Sequence, residues 1–409
     1  MKKLATLLLL AGLTLSLRAQ DAPHRLVEIG VDARGSFANS YLRIGDILKE
    51  TITLDISQMA DDLGDGLELF LDAHAKTFIN VNLGAFWGFG FFAGVDTLGQ
   101  LKIPQSMIEL LAEGNDPNKT YSDKMGLGGA AFFEAGFRAS AKIRRITFTV
   151  RPAYFLPLAY LSNPRVNYNL ALNDDGSFSI EGKYNVDMYT FFSQDTSRQD
   201  SSGNVSIEMP NRLDSADLFG KGGADLVLRA EYPLRHNLII GGSLGHIPLA
   251  PARLTDKYSM TGGFELNKTI EDILSNDFEM PDLEVINEYD GTSEKLVFRP
   301  FKIGVDAVYR PLNIRLVTLR PELALVFNSI YNTPAYLDFG ISAELNLADI
   351  FTVSAGTHLE DLIWKERIGL ALNLRAFELI VGITTQSQQF FKSFQGAGFG
   401  LDAGIRIGY

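Results

Sequence analysis

The feature that most constrains this chain is a two-residue alternation of apolar and polar side chains. Over the last eleven residues, glycine or a charged residue fills one parity, and the other parity holds Phe399, Leu401, Ala403, Ile405, Ile407 and Tyr409. Successive side chains of a β-strand point to opposite faces, so such a segment has one apolar face and one polar face. The pattern predicts β-strands whose two faces meet different surroundings.

The same alternation recurs along the whole chain. It is strict at 27–34, 303–310, 337–346 and 367–375, and it runs through 78–96 as either one long strand or a hairpin near Trp87. Noisier segments lie at 129–143, 145–155, 165–172, 178–188, 224–232, 237–247, 256–266, 314–327, 350–358 and 377–385. Repeated alternating segments of about ten residues are typical of transmembrane β-barrels. We predict an all-β fold, a transmembrane antiparallel β-barrel of about 14 strands within a range of 12–16.

A soluble β-sandwich is the alternative fold, because its strands alternate too. The outward faces of a sandwich are densely polar. Here the polar faces mix Gly, Ala, Ser and Asn with charges of both signs, as a lumen would, and the apolar faces are almost free of charge. An uncharged apolar face suits contact with lipid, which favours the barrel.

The N-terminus has the anatomy of an export signal. Lys2 and Lys3 precede an uncharged run at 4–17, and Arg18-Ala19-Gln20 offers a small-residue cleavage point. The run is shorter than the roughly 20 residues of a membrane-spanning helix, and a buried helix or an uncleaved anchor is the alternative. We predict a signal peptide at 1–19, a single barrel domain at 20–409, and a location in the outer membrane.

Charge and cysteine content exclude several classes of function. Removal of residues 1–19 takes three basic residues from 37 and leaves 34 against 49 acidic residues, a net charge of −15. Nucleic-acid binding needs clustered Lys and Arg and is therefore not expected. The absence of Cys excludes disulfides, thiolate metal sites and a thiol-linked lipid anchor. No stretch of 18 apolar residues follows the signal, so no helical span is expected.

Few segments depart from the strand pattern. Residues 38–75, just after the first strand, lack sustained alternation and are predicted to form a partly helical plug. Residues 104–113 are predicted to form a short helix, since Pro104 suits a first turn and Gly114 suits a stop. The polar stretches 193–222 and 267–295 are predicted to be long external loops.

No constellation for catalysis, metal binding or a cofactor stands out. The five His residues lack metal-ligand spacing, and His358 with Ser354 on one strand face has no context that supports a nucleophile. The acidic stretch 267–295 lacks the regular spacing of a calcium loop. We predict no enzymatic activity, no cofactor and no metal.

The polar parity of the strands carries a ladder of charges that we expect to face the lumen. Its members can pair with one another to stabilise the barrel, or they can set the polarity and selectivity of a pore, and both interpretations stay open. The candidate positions are Arg138, Arg151, Arg310, Glu322, Arg367 and Arg406.

Aromatic residues fall on both parities. Trp87, Phe89 and Phe91 are expected to face lipid, whereas Phe86 and Phe92 lie on the opposite parity and are expected to face inward. Inward aromatic rings beside a plug would form an apolar ligand site, which a pore for salts and sugars does not need.

Two resemblances extend these expectations. The ending at Tyr409 resembles the C-terminal strand that the outer-membrane barrel assembly machinery recognises. The segments Val31-Asp32-Ala33, Phe37 to Leu42 and Ile52 to Asp55 resemble the FadL family of long-chain fatty acid transporters, including its spirochaete (treponeme) members. That family implies a hatch inside the lumen, a hydrophobic ligand and lateral exit. Only Asn39 is carried over as a hatch position, because Ser40 replaces the Pro of the family's Asn-Pro-Ala.

The expected function is therefore plug-gated passage of hydrophobic small molecules, fatty acids first, with membrane lipid and such a ligand as partners. Two other classes stay open: a general pore for small polar solutes, and a surface-exposed barrel whose long loops bind a ligand or a host.

Overall fold

The computed structural model describes residues 25–41, 56–64, 66–84, 86–113, 121–172, 177–191, 197–199, 205–207, 220–269, 284–290, 293–311, 316–327, 330, 333–348 and 350–409. The predicted signal peptide at 1–19 lies outside these residues. No helix within the described ranges is long and apolar enough to cross a membrane.

β-Strands account for most of the described chain. Their bounds are β1 Val27–Asn39, β2 Leu67–Leu83, β3 Trp87–Ile103, β4 Tyr121–Ile143, β5 Ile146–Leu172, β6 Ser177–Thr190, β7 Ser197–Gln199, β8 Val205–Ile207, β9 Gly223–Arg235, β10 Leu238–Ala250, β11 Ala252–Leu254, β12 Asp256–Thr269, β13 Glu284–Asp290, β14 Lys295–Val297, β15 Phe301–Tyr309, β16 Val317–Phe327, β17 Ala335–Leu347, β18 Phe351–Glu360, β19 Ile363–Leu374, β20 Phe377–Ser387 and β21 Gly398–Gly408. The helices are α1 Ile56–Asp62, α2 Gln105–Glu113 and α3 Phe390–Ser393.

Fourteen of these strands close into an antiparallel barrel within the described residues. The ring runs β1-β2-β3-β4-β5-β9-β10-β15-β16-β17-β18-β19-β20-β21 and back to β1. The closing pair joins Glu28 to Gly408 and continues to Ala38 and Gly398 without a shift. Closure leaves no unpaired edge in lipid, which is what allows strands to span a membrane. The predicted fold class and strand number are confirmed.

Three further strands extend the wall beyond the ring. The first half of β5 pairs with β9, and its second half pairs with β6, which continues to β12 and β13. The segments predicted separately at 145–155 and 165–172 are thus one strand, and the predicted loop 267–295 contains the end of β12 and the strand β13. Short strands β7 and β8 lie within the predicted loop 193–222.

The two faces of the wall differ as the alternation predicts. On β19, Ile368, Leu370 and Leu374 are exposed on the outside, with exposed fractions of 66%, 44% and 53%. Trp87, Phe89 and Phe91 of β3 are also exposed on that face. The inward positions between them are buried or half-buried. A continuous belt of exposed apolar side chains suits acyl chains rather than water.

The two ends of the barrel are different. At the short-turn end, β2–β3, β4–β5, β9–β10, β17–β18 and β19–β20 are joined by two or three residues. The start of β1 meets the end of β21 there, where Leu26 N donates to Tyr409 O at 2.5 Å. Gly84 enters the β2–β3 turn with a φ of +64°, which glycine adopts without strain. The opposite end, the loop end, carries the longer connections, apart from the two-residue turn between β18 and β19. The alternating segment 78–96 spans the turn between β2 and β3, so it is a hairpin and not one long strand.

The predicted plug at 38–75 is wrong in its bounds. Residues 67–75 form the first half of wall strand β2, because Glu68, Phe70 and Asp72 alternate with outward Leu69 and Leu71. Residues 42–55 and 65 lie outside the described residues. Helix α1 packs on α2 at the loop end through Ala60, Leu63 and Ile108. The predicted helix at 104–113 is confirmed as α2.

Candidate functional site

The interior of the barrel holds a cavity of about 1150 Å³. The described residues that line it include twelve Lys or Arg and twelve Asp or Glu. The cations are Arg25, Arg34, Lys76, Arg138, Lys142, Arg151, Arg229, Arg299, Lys302, Arg320, Arg367 and Arg406. The anions are Glu28, Asp32, Asp72, Asp96, Glu134, Glu231, Asp306, Glu322, Asp338, Glu344, Glu360 and Asp361. The lining is thus densely charged but formally neutral.

One ion-pair network links β1, β2, β18 and β19. Asp72 accepts from Arg34 Nη2 at 2.8 Å and from Lys365 Nζ at 3.1 Å. Glu360 accepts from Lys365 at 3.2 Å and from Arg367. Because Lys365 is almost fully buried, its two carboxylate partners are what make its charge tolerable there.

A second network is centred on Arg299, which lies between β14 and β15. Its guanidinium binds Asp225 of β9 through Nε at 2.7 Å and Nη2 at 2.8 Å, and it binds Glu134 of β4 through Nη1 at 2.6 Å. The guanidinium also lies over the Phe155 ring, 5.1 Å from its centroid. Phe155 belongs to β5, between the two strands that supply the carboxylates. These contacts attach the chain before β15 to the inner wall.

The predicted charge ladder faces inward at five of its six positions. Glu322 accepts from His358 Nδ1 at 2.8 Å, Arg367 contacts Glu360, and Arg406 lies 3.8 Å from Asp32 and 3.7 Å from Glu378. Arg138 and Arg151 also line the cavity. Arg310 instead follows β15, and its backbone N–H donates to Asn237 O at the short-turn end.

The two predicted inward aromatic residues have different surroundings. Phe92 is buried in the lumen, with Lys76 Nζ 4.2 Å and Arg151 Cζ 4.6 Å from its ring centroid. Phe86 lies in the β2–β3 turn, is 62% exposed, and borders the cavity at the short-turn end. The structure does not bring the two rings together as one apolar pocket, since Phe92 is packed by charged neighbours.

Asn39, the predicted hatch position, lies at the loop end of β1. It is buried, its side-chain amide donates to Ala397 O, and its Oδ1 accepts from Tyr41 N at 2.8 Å. Its carbonyl oxygen accepts from Ser387 Oγ at 3.4 Å. Asn39 therefore joins the end of β1 to the connection between β20 and β21.

Apolar side chains fill the barrel at the loop end, in what we call the ribbon cluster. The ribbon of β11 and β14 packs Ala252, Leu254 and Val297 against the wall. The remaining buried members of the cluster are Ala130, Phe132, Phe155, Leu156, Tyr189 and Phe191. Phe132 and Phe155 belong to the inward parity of β4 and β5. The ribbon cluster therefore bounds the charged cavity on its loop-end side.

A second group, the cross-lumen cluster, joins opposite walls. Ala38 and Phe70 from β1 and β2 pack with Val326 and Tyr336 from β16 and β17, and with Ile363 of β19. In addition, the connection between β16 and β17 reaches β4, where a Cβ built on Gly128 would lie 3.2 Å from Ile330 O. Since β4 is five strands from β16 in the ring, Ile330 lies across the lumen from β16.

Sequence reasoning missed several residues of this site. Arg299 lies outside any alternating segment, so no pattern marked it. The inward parity of β2, β9 and β19 could have identified three more, namely Lys76, Asp225 and Lys365. His246 contacts Asp225 at 3.1 Å and so joins the Arg299 network, and His358 contacts Glu322 at 2.8 Å as a separate pair. No cluster of three or more potential metal ligands occurs among the described residues.

Similar solved structures include a toluene transporter, a monoaromatic hydrocarbon channel and a FadL homologue. The toluene transporter TbuX of Ralstonia pickettii shares 8% identity over 95% of this chain and 90% of its own, with a TM-score of 0.48. The TodX deltaS2S3 mutant, a monoaromatic hydrocarbon channel, shares 9% identity over 98% of this chain and 96% of its own, with a TM-score of 0.49. A Pseudomonas aeruginosa FadL homologue shares 9% identity over 94% of this chain and 90% of its own, with a TM-score of 0.42. Neither substrate nor mechanism follows from likeness at this level.

No protein-family model matches the chain. No curated protein matches it either. The fold and the site themselves define a class: a fourteen-stranded transmembrane β-barrel with a charge-balanced lumen that apolar side chains fill at the loop end.

Proposed function

We propose that the protein is an outer-membrane barrel that admits hydrophobic small molecules, with long-chain fatty acids as the first candidates. The observation that supports this most is the apolar filling of the lumen at the loop end. A hydrophobic solute can partition among Phe132, Phe155 and Phe70, whereas an ion or sugar would lose its hydration there without replacement hydrogen bonds.

The gate in this proposal consists of segments that fold inward rather than of residues 38–75. The β11–β14 ribbon, Arg299 and the connection at Ile330 each come from a long loop-end connection and contact the inner wall. A small displacement of these segments would join the loop end to the charged cavity below. Asn39 and the β20–β21 connection stabilise the wall beside these inward segments.

Native mass spectrometry of the detergent-solubilised protein tests the ligand class. We expect co-purified fatty acid or another apolar molecule, released when the protein unfolds. Repeated absence of any apolar ligand, together with a large steady conductance in planar bilayers, would contradict the proposal.

A pore for small polar solutes is the second candidate, and the charged lining of the cavity favours it. Liposome swelling separates the two functions. A polar pore admits arabinose and swells the vesicles at a rate that depends on solute size, whereas the gate proposed above leaves the vesicles unswollen. Single-channel recording in planar bilayers gives an independent measure of the same difference.

A further inference from the structure

We propose that Arg138 and Arg151 form an oxyanion-binding site on the inner wall, in which a carboxylate or phosphate group binds between two guanidinium groups. The site lies in the charged cavity, toward the short-turn end from the ribbon cluster. It requires no movement of the gate, and it does not depend on hydrophobic transport.

The two arginines face each other across neighbouring strands. The β4–β5 register runs from Gly136 opposite Ala153 to Ala139 opposite Val150 without a shift, which places Arg138 opposite Arg151. Like charges at facing positions of a sheet repel each other. An anion bound between them would remove that repulsion.

The neighbouring positions supply no carboxylate. Across the strands, Arg138 faces Gly90 on its other side, and Arg151 faces Val227 on its other side. Along the strands, the nearest positions on the same face are Gly136, Ser140, Thr149 and Ala153. These directly adjacent positions therefore supply no counter-ion, and the wall carboxylate that reaches Arg151 is the more distant Glu134 of β4.

The pairing of these two arginines differs from that of the other lumen cations. Within the described part of the chain, Arg138 makes no hydrogen bond or ion pair with another side chain. Arg151 reaches Glu134 only at 4.0 Å, and Glu134 already accepts from Lys76 at 2.7 Å and from Arg299 at 2.6 Å. By comparison, Arg320 binds both oxygens of Glu344, at 2.7 and 3.0 Å.

The other acidic side chains that act electrostatically on these arginines are themselves paired. Asp225, which acts on Arg151, binds Arg299, and the two that act on Arg138 are also engaged. Glu231 accepts from Arg229 Nε at 2.7 Å, and Glu28 lies 3.5 Å from Arg25 Nη1. Thr149 and the Asn80 amide line the same cavity and can donate further hydrogen bonds to oxygen ligands, whereas Ser140 Oγ already donates to Gly88 O at 3.4 Å. Two guanidinium groups beside hydroxyl and amide donors suit an oxyanion.

An oxyanion can arrive as free inorganic phosphate or as the head group of an amphiphile, and binding measurements distinguish these sources. The probes are inorganic phosphate, octanoate and the neutral octan-1-ol, each titrated by equilibrium dialysis against the full mature protein in a nonionic detergent. We expect the protein to bind octanoate about tenfold more tightly than octan-1-ol, since charge-assisted hydrogen bonds contribute at least that much. We also expect phosphate to compete with octanoate.

Substitutions localise the site. R138Q and R151Q should each weaken phosphate and octanoate binding by about tenfold while leaving octan-1-ol binding unchanged. R138K, which keeps the charge, should retain most of the binding and shows that the fold tolerates change there. The matched control R320Q/E344Q removes a lumen charge pair of the same type and should leave all three affinities unchanged.

The outcomes are separable. Phosphate binding without octanoate or octan-1-ol binding supports the anion site with a free inorganic ligand and contradicts the hydrophobic function. Equal affinity for octanoate and octan-1-ol without phosphate binding overturns the anion site and leaves the hydrophobic function standing. Wild-type affinities for phosphate and octanoate in folded R138Q and R151Q would also overturn the anion site.

Discussion

Arg299 and Asp225 form a bidentate ion pair inside the barrel, with Nε 2.7 Å from Oδ2 and Nη2 2.8 Å from Oδ1. The Arg299 side chain is 5% exposed and the Asp225 side chain 2%. Because Arg299 lies between β14 and β15, this contact fixes the inward ribbon to strand β9. The pair is therefore a part of the proposed gate at which a single substitution leaves a buried charge without its partner.

Replacement of Arg299 by Gln should loosen the ribbon and leave Asp225 and Glu134 buried without their partner. We expect a loss of about 3–5 kcal/mol in the free energy of unfolding and a larger bilayer conductance. Urea unfolding and planar-bilayer recording measure the two effects. The control R253Q removes an exposed pair with Glu294 on the same ribbon and should change stability by about 0.5 kcal/mol at most. A conductance equal to that of the wild type in R299Q would show that Arg299 does not hold a gate.

Gly136 allows the Phe92 ring to lie across β4. A Cβ built on Gly136 would lie 2.3 Å from Pro152 O of the neighbouring strand, 2.7 Å from Phe92 Cζ and 3.0 Å from Ala153 Cα. G136A should therefore destabilise the barrel by about 1–3 kcal/mol through overpacking. G242A is the matched control, since a Cβ there meets nothing within 4 Å. Urea denaturation in detergent compares the two variants, and equal midpoints would contradict the close packing of β5 and Phe92 against Gly136.

The outward face of β19 tests the orientation of the wall. Ile368 lies in the middle of the strand and Leu374 at its short-turn end, and both are exposed. Arginine on a lipid-facing wall costs about 2–4 kcal/mol at the bilayer midplane and about 0–1 near the interface. I368R should therefore destabilise the protein much more than L374R when unfolding is measured in lipid vesicles. Similar costs at both positions would be inconsistent with lipid contact.

The alternation in the sequence predicts the barrel because lipid and lumen select side chains at every second position. The prediction from alternation fails where a tertiary contact, and not lipid or lumen, determines the side chain. Phe70 lies on the inward parity of β2 but packs in the cross-lumen cluster, so the start of β2 was assigned to a plug. β5 was divided because a register shift against β4 near Pro157 changes the parity of its faces.

The charges of the site were partly predictable. The inward positions of Arg138, Arg151, Arg367 and Arg406 follow from parity alone. Their pairing does not, because it depends on strand register and on closure of the ring. Arg367 and Glu360 are brought together by the turn at Asp361 and Leu362, and Asp72 reaches Lys365 only after the ring closes. Arg299 had no local signal, since it lies on a connection that folds back into the barrel.

Uptake of a neutral hydrophobic dye by intact cells tests the central claim most directly, because a lipopolysaccharide outer membrane excludes the dye N-phenylnaphthylamine. The chain has no Cys, so G128C/I330C introduces the only thiols, at the place where the β16–β17 connection meets β4. Expression of the wild type should accelerate dye uptake, oxidation of the double variant should abolish the gain, and reduction should restore it. Dye uptake that is unchanged by expression, or arabinose uptake that rises in its place, would contradict a gated hydrophobic passage.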